Sequence, residues 1–531
     1  MSTRRTFLKQ NSILAAGAWA IGSAPFVIAE PRSEPASPIA ETTHGKLRGR
    51  TENSIHVFRG IHYGADTSGK HRFMPPQKPA SWQGTRDALE WGACAPQPLP
   101  SSNFDYTRAD LWAYFPGGQS EDCLVLNVWT PALKDEGKRA VMFAIHGGGY
   151  SSGTGNNAVF NGANLARRYN VVVVSVNHRL GALGFLQLGQ FAPEFAHSGN
   201  VGMMDLVAAL QWVRGNIENF GGDPNRVLIF GQSGGGGKVC NLMVMPSAKG
   251  LFQRAAVESG ATLRSGTREN AEKGAEQLLT QLALPKSRFR ELQDPPFDLI
   301  IGGGAASRGR FGPFVDGEVI PRNPFDPDAP SISADVPMIA GTNLQDMNLM
   351  RTDFSIDDAT AQQELKRTLG ADTARIWAAY RRVAPKETAA QLWARITSDH
   401  GFRAGTATLL ERKAALGRAP AFLYLLEWPA PYMGGRYGCV HGTDVPLIFL
   451  NPEAWQLTAG SKTSGAVANA MSGAFANFAK TGNPGTRELP WQAFNPKTKP
   501  TMIFDVRSGV KNDPDHDLLA LLPPSKGGLF G

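Results

Sequence analysis

Val227-Leu228-Ile229-Phe230-Gly231-Gln232-Ser233-Gly234-Gly235-Gly236-Gly237 is a short apolar run that ends in Gly-x-Ser-x-Gly. The next segment, 238–245, is helical in pattern, so the stretch reads as strand, tight turn and helix with Ser233 at the turn. On such an elbow a hydroxyl faces substrate, and the N–H of the following residue points to where an oxyanion forms. A second match, Gly149-Tyr150-Ser151-Ser152-Gly153, lacks this setting: Ser151 lies several residues past its strand, and a Gly/Asn-rich loop follows it.

Outward from the elbow, 124–129, 140–145 and 171–176 predict strands, the last an unbroken β-branched run of the kind buried on both faces of a parallel sheet. Segment 205–217 predicts the helix ahead of the elbow, 255–258 and 336–340 two further parallel strands, and 421–426 the last strand. Helical patterns fall at 357–369, 389–396 and 466–478. This alternation predicts an α/β protein with a doubly wound, mostly parallel central sheet and helices on both faces. Neither an internal repeat nor a dividing linker interrupts 42–522, which reads as one domain followed by a loose tail, 523–531.

Composition agrees with a soluble protein of large core: 531 residues, 42% hydrophobic and 19% charged. Ser2-Thr3-Arg4-Arg5-Thr6-Phe7-Leu8-Lys9, the Gly/Ala-rich apolar stretch 13–28 and the small-residue site Val27-Ile28-Ala29 predict a twin-arginine signal peptide over 1–29. The expectation is a bacterial protein exported folded, then periplasmic or secreted. A membrane anchor fits less well, because Gly17, Gly22 and Pro25 break a stretch already shorter than about 20 apolar residues. Residues 30–41 read as a Pro/Ser-rich linker. Removal of 1–29 takes three cations and no acids, so the formal charge falls from +8 to +5. The remaining Lys and Arg are scattered with no basic run of five, which excludes a nucleic-acid footprint. The four cysteines, Cys94, Cys123, Cys240 and Cys439, have no zinc spacing, and neither a metal nor a cofactor is expected.

A serine hydroxyl needs a base to take its proton and an acid to hold that base in one tautomer. On such scaffolds they follow in the order Ser, Asp/Glu, His, each just past a strand. Asp346 lies past the strand predicted at 336–340, and His441, in Gly438-Cys439-Val440-His441-Gly442, follows the one at 421–426. Gly147-Gly148-Gly149, after a buried strand, is a suitable source of oxyanion donors, since only glycine lets backbone N–H groups approach so closely.

With these residues in place the chain resembles the type-B carboxylesterases, the cholinesterase and carboxylesterase branch of the α/β-hydrolases. Glu121-Asp122-Cys123-Leu124-Val125-Leu126-Asn127-Val128 resembles one family signature, and Phe220-Gly221-Gly222-Asp223-Pro224 leading to Gly231-Gln232-Ser233 the other. Asn177-His178-Arg179-Leu180-Gly181 and Phe478-Ala479-Lys480-Thr481-Gly482-Asn483-Pro484 extend the likeness, which covers about 42–507 in the same order. The resemblance implies Ser233 as nucleophile, His441 as base and Asp346 as acid. It further implies oxyanion donors at the N–H groups of Gly148, Gly149 and Gly234, and Ser259 as support for the triad. It also implies a Cys94–Cys123 disulfide and the ion pairs Arg72–Glu121 and Arg179–Asp205. Cys240 and Cys439 are expected to be free buried thiols rather than a second bridge.

The implied reaction is hydrolysis of a small-molecule carboxylic ester through an acyl-enzyme, with no nucleic-acid partner and no stable membrane anchor. An amidase on the same triad and a non-catalytic, cholinesterase-like binding protein are the alternatives. Three positions depart from the family pattern. Asp346 stands where Glu is usual, so His441 must sit closer. Gln232 removes a common negative charge. Gly234 replaces a common Ala, and four glycines in a row predict a flexible helix start, at up to about 1 kcal/mol per glycine. The segment between Cys94 and Cys123 carries Phe104, Tyr106, Trp112, Tyr114 and Phe115, which either line the mouth of the site or pack the loop onto the body.

Overall fold

The apolar run ahead of Ser233 forms the strand Gly222–Gln232 at the centre of an 11-stranded sheet. A computed structural model of the protein describes residues 37–98, 115–306 and 311–524. The twin-arginine segment, most of the 30–41 linker, Phe104, Tyr106, Trp112 and Tyr114, and most of the 523–531 tail lie outside the described residues.

Fourteen strands are described: β1 (Ile39–Glu41), β2 (Lys46–Arg48), β3 (Arg50–Glu52), β4 (Ile55–His62), β5 (Thr85–Asp87), β6 (Val125–Thr130), β7 (Arg139–Ile145), β8 (Val172–Val176), β9 (Gly222–Gln232), β10 (Arg254–Glu258), β11 (Met338–Asn343), β12 (Ala421–Leu426), β13 (Pro500–Phe504) and β14 (Gly509–Asn512). Strands β1, β2 and β5 make a small separate sheet. The large sheet runs β14-β13-β12-β11-β10-β9-β7-β8-β6-β4-β3. Every pairing from β8 through β7, β9, β10, β11 and β12 to β13 is parallel, and the strands beyond either end are antiparallel. The order reverses at β7, where β8 lies on one side and β9 on the other, the kind of switch point at which open α/β sheets place their sites.

The sheet is covered on both faces. Val141, Phe143, Ile145, Val227 and Ile229 belong to one buried apolar cluster, while the alternating Met142, Ala144, Leu228 and Phe230 belong to another. A period of two therefore feeds two cores, which is why these strands read as continuous apolar runs. Helices form where the 3.6-residue pattern predicts them, with ends set by local chemistry. Asp357 accepts from Thr360 N at 2.8 Å to open Asp358–Leu369, and Thr388 and Gln391 form a capping box ahead of Ala389–Ser398.

Several expectations are corrected. The 421–426 strand is not the last, because β13 pairs parallel to β12 and β14 closes that edge. Ile39–Glu41, within the expected linker, is already β1. The Cys94–Cys123 disulfide is absent: all four cysteines are buried free thiols. The Cys94 thiol donates to Gly118 O at 3.4 Å and lies 3.8 Å from Gln97 Nε2, so its proton is held by a carbonyl. Burial pushes that thiol up to about 12 and the Cys123 thiol well above its usual value. Both expected ion pairs are formed and buried, Arg72–Glu121 at 2.5 Å and Arg179–Asp205 at 2.6 Å.

Candidate active site

Ser233 sits between the end of β9 and the helix Gly234–Leu242, at φ 60° and ψ −125°. A non-glycine residue in this region stores about 1–3 kcal/mol of strain and persists only where its surroundings over-determine it. Here Ser233 N–H donates to Glu258 O at 2.7 Å, and its carbonyl accepts from Gly237 N at 3.0 Å. The turn is possible because the backbones around it nearly touch. A Cβ on Gly235 would lie 2.2 Å from Ile145 O, and one on Gly260 would lie 2.2 Å from Ser233 O. The glycine run is helical and buried, and at Gly234 and Gly235 it permits an approach of backbones that a side chain would block.

The same closeness brings the candidate donors together. Gly148 (φ 85°) and Gly149 (φ 61°) adopt left-handed backbone just past β7. A Cβ on Gly234 would meet Gly149 O at 2.2 Å, and one on Gly147 would lie 3.4 Å from Ser233 Cβ. Gly147, Gly149, Ser233 and Gly234 therefore occupy one cluster.

Asp346 opens the short turn after β11 and is wholly buried. Its Oδ1 lies 2.7 Å from His441 Nδ1, while Oδ2 accepts from Ser259 Oγ and Asn343 N, each at 2.9 Å. With a carboxylate facing Nδ1, that nitrogen carries the proton, which leaves Nε2 as the basic atom. The shorter Asp side chain reaches the imidazole because the two loops are stitched together. Gln345 N donates to Cys439 O at 3.0 Å, Cys439 N to Gln345 Oε1 at 2.7 Å, and Asn343 Nδ2 to Val440 O at 2.9 Å. The His441 ring, almost buried, packs on Phe402 at 5.1 Å between centroids. Phe115, the described member of the aromatic set, is half-buried.

Sequence reasoning missed the groups behind this front row. Gln232, Glu258, Gly341 and Tyr424 stand in register across β9, β10, β11 and β12, so their side-chain positions share a face. Gly341 leaves room for the Tyr424 ring, whose hydroxyl donates to Asp444 Oδ2 at 2.9 Å. Burial, and then the neighbouring Asp346, push the Asp444 carboxyl up to about 6; burial and Asp444 hold Glu258 well above the usual carboxylate range. Asp444 follows His441 by three residues and Glu258 precedes Ser259 by one, which is the only signal the sequence offers for either. On the other side, Lys238 is fully buried and donates to His146 O at 3.0 Å. Among the described residues, no group of three His, Cys, Asp or Glu side chains is placed to hold a metal ion. No described helix is long and apolar enough to cross a membrane.

Comparison with known proteins places this chain in a family. Residues 36–518 match the carboxylesterase family. The chain is 32% identical over 507 residues to the para-nitrobenzyl esterase of Bacillus subtilis, covering 92% of this chain and 99% of that protein. It is 31% identical to the phenmedipham hydrolase of Pseudarthrobacter oxydans, covering 90% and 98%. Its fold is similar to the crystal structure of a Geobacillus stearothermophilus carboxylesterase, with a TM-score of 0.79, 31% identity, and coverage of 91% of this chain and 100% of that one. The chain therefore belongs to the carboxylesterase family, and it is a carboxylic ester hydrolase of the α/β-hydrolase fold.

Proposed function

We propose that this carboxylesterase works through a Ser233-His441-Asp346 triad and an acyl-enzyme. His441 Nε2 takes the proton from Ser233 Oγ as the oxygen attacks the ester carbonyl, and Asp346 holds Nδ1–H and offsets the imidazolium charge. The tetrahedral oxyanion is received by the N–H groups of Gly148, Gly149 and Gly234, which cost no reorganisation because their backbone is already packed in place. The imidazolium returns its proton to the alcohol oxygen, which leaves as the C–O bond breaks. A water then attacks the acyl group by the same route, and Ser233 is released. The observation that carries the proposal is the three-donor seat of Asp346, in which His441 Nδ1 at 2.7 Å is joined by Ser259 and Asn343. A carboxylate so held fixes one orientation and one tautomer of the His441 ring.

The test is hydrolysis of p-nitrophenyl acetate and butyrate by the protein beside Ser233→Ala, with fluorophosphonate labelling of both. Turnover and labelling are expected in the parent and neither in the variant. A folded Ser233→Ala protein that keeps parental turnover overturns the proposal. Export by the twin-arginine route is part of the proposal, supported by Arg4-Arg5 and the small-residue site at Val27-Ile28-Ala29. Activity found in the cytoplasmic fraction alone of cells expressing the full chain would remove that part.

A further inference from the structure

The triad leaves several buried titratable side chains without a role, and one of them stands on the helix that follows the nucleophile. Lys238 lies on the helix Gly234–Leu242, which begins directly after Ser233, and is wholly inaccessible to solvent. Among the described residues no carboxylate pairs with it, a costly arrangement for an ammonium group in an apolar interior. Burial accordingly lowers it to about 7. Its Nζ donates to the carbonyl of His146, the residue immediately before Gly147-Gly148-Gly149, at 3.0 Å. It also lies 5.8 Å from the centre of the Tyr150 ring, the residue immediately after them. One turn along, Asn241 Nδ2 lies 3.3 Å from Tyr150 Oη and is itself seated on Gly237 O at 2.9 Å. One face of the nucleophile's helix thus touches both ends of the three-glycine loop.

From this juxtaposition, and resting on the triad reading above, we infer that Lys238 is a positioning residue that ties the oxyanion-donor loop to the helix carrying Ser233. Nucleophile and donors then move as one piece. The bond to His146 O fixes the peptide plane that enters Gly147, and hence the direction in which the next N–H groups point. An ammonium and a neutral amine both donate hydrogen, so the tie does not depend on the protonation of Lys238. The titratable groups facing it are His146, His178 and Tyr150. The two rings stack at 5.0 Å, and burial, followed by the lysine's own charge, keeps both imidazoles neutral. Arg179, next to His178, is committed to Asp205 at 2.6 Å.

The experiment compares the parent with Lys238→Met, which keeps the stem and deletes the donor, and with Lys238→Gln, which keeps an N–H. Two readouts are taken: kcat and KM for p-nitrophenyl butyrate, and affinity for a trifluoromethyl ketone, whose serine adduct mimics the tetrahedral intermediate. Lys238→Met is expected to lose roughly 10- to 100-fold in kcat and to weaken ketone binding by the same factor, less than the roughly 10²- to 10³-fold cost of deleting an oxyanion donor, because the donors are displaced and not removed. KM should stay within about twofold, since the tie acts on the transition state and not on ester binding. Lys238→Gln is expected to recover part of both losses, and if Lys238→Met does not fold, Lys238→Leu takes its place in the same two measurements. A folded variant without the donor, Lys238→Met or Lys238→Leu, with parental kcat and ketone affinity overturns the inference, and so does a loss confined to KM. Parental turnover surviving in Ser233→Ala would instead overturn the triad reading on which the inference rests.

Discussion

The two halves of the site are built from different materials. On the acid–base side, beyond β10, β11 and β12, side chains bond to side chains: Asp346 to His441 and Ser259, Asp444 to Tyr424. On the donor side, around β7 and β9, backbone packs on backbone, and the distances from Gly148, Gly234 and Gly235 to neighbouring carbonyls leave no room for a methyl group. Substitution should therefore act differently in each half. A change on the acid–base side alters charge and tautomer while the fold stands, whereas a change on the donor side is felt first as packing.

Asp346→Asn probes the first half and should have the largest effect. Asparagine keeps the shape but presents a neutral amide to His441 Nδ1 and favours the tautomer with the proton on Nε2, the atom that must accept. Loss of kcat on the order of 10⁴-fold is expected with a near-parental melting temperature. Initial rates with p-nitrophenyl butyrate and a thermal melt check both parts. A variant within tenfold of the parent would mean that the imidazole is oriented by its loop contacts alone.

Gly235→Ala probes the second half. Alanine inside a helix normally gains about 1 kcal/mol over glycine. Here the new Cβ would stand 2.2 Å from Ile145 O and 3.1 Å from His146 O, both backbone atoms that cannot swing aside. The expected net result is destabilisation of roughly 1–3 kcal/mol, as for overpacking, with activity falling as the elbow shifts. Gly465→Ala is the internal control: Gly465 lies in the exposed first turn of Ser464–Thr481, and its Cβ would meet nothing within 4 Å. That variant should be more stable than the parent by about 0.5–1 kcal/mol. Denaturant midpoints for the pair decide whether close approach, and not helix propensity, explains the glycine run.

The same division explains what could be read in advance. Ser233 was legible because an elbow is local: an apolar strand, a glycine-flanked serine and a helix lie within one continuous stretch. Asp346 and His441 were legible only through their order behind predicted strands, and Ser259, Gly148 and Gly149 through resemblance. Strand β13 was not, since it opens with Pro500, spans five residues, and exists as a strand because β12 offers a free parallel edge. Lys238 was read only as the first residue of a helical segment; its burial depends on where the loop after β7 crosses, which no spacing in the chain records. Glu258 and Asp444 were hidden for a related reason. Each is an ordinary acid in sequence, and they become a pair only when β10 and the loop after β12 are brought together by strands from distant parts of the chain.

That pair gives the smallest effect and the finest comparison between the halves. Asp444 rises from an ordinary value near 3.8 to about 6, chiefly through burial and then through Asp346, with His441 acting in the opposite sense. A carboxyl with a raised folded-state value binds its proton more tightly when folded. Between about pH 4 and about pH 6 the folded chain therefore holds more proton at this site, and its contribution to stability declines as pH rises through that window. Asp444→Asn removes this ionisation while leaving an oxygen to accept from Tyr424. Relative to the parent, the variant should lose ground at pH 4, where Asp444 is neutral, and gain as pH increases, with the difference levelling off above about pH 6. Urea unfolding of both proteins at pH 4, 5, 6 and 7 measures it. A difference that does not change with pH would mean that Asp444 ionises at its ordinary value when folded. Lys238, lowered from an ordinary value near 10.5 to about 7 by burial in the other half, predicts the opposite sense of change at higher pH: the folded chain holds less proton there than the unfolded one, so its contribution to stability rises between about pH 7 and about pH 10.5. Lys238→Met should therefore gain on the parent as pH falls from about 10.5 to about 7, with the difference levelling off below that, the mirror image of Asp444→Asn.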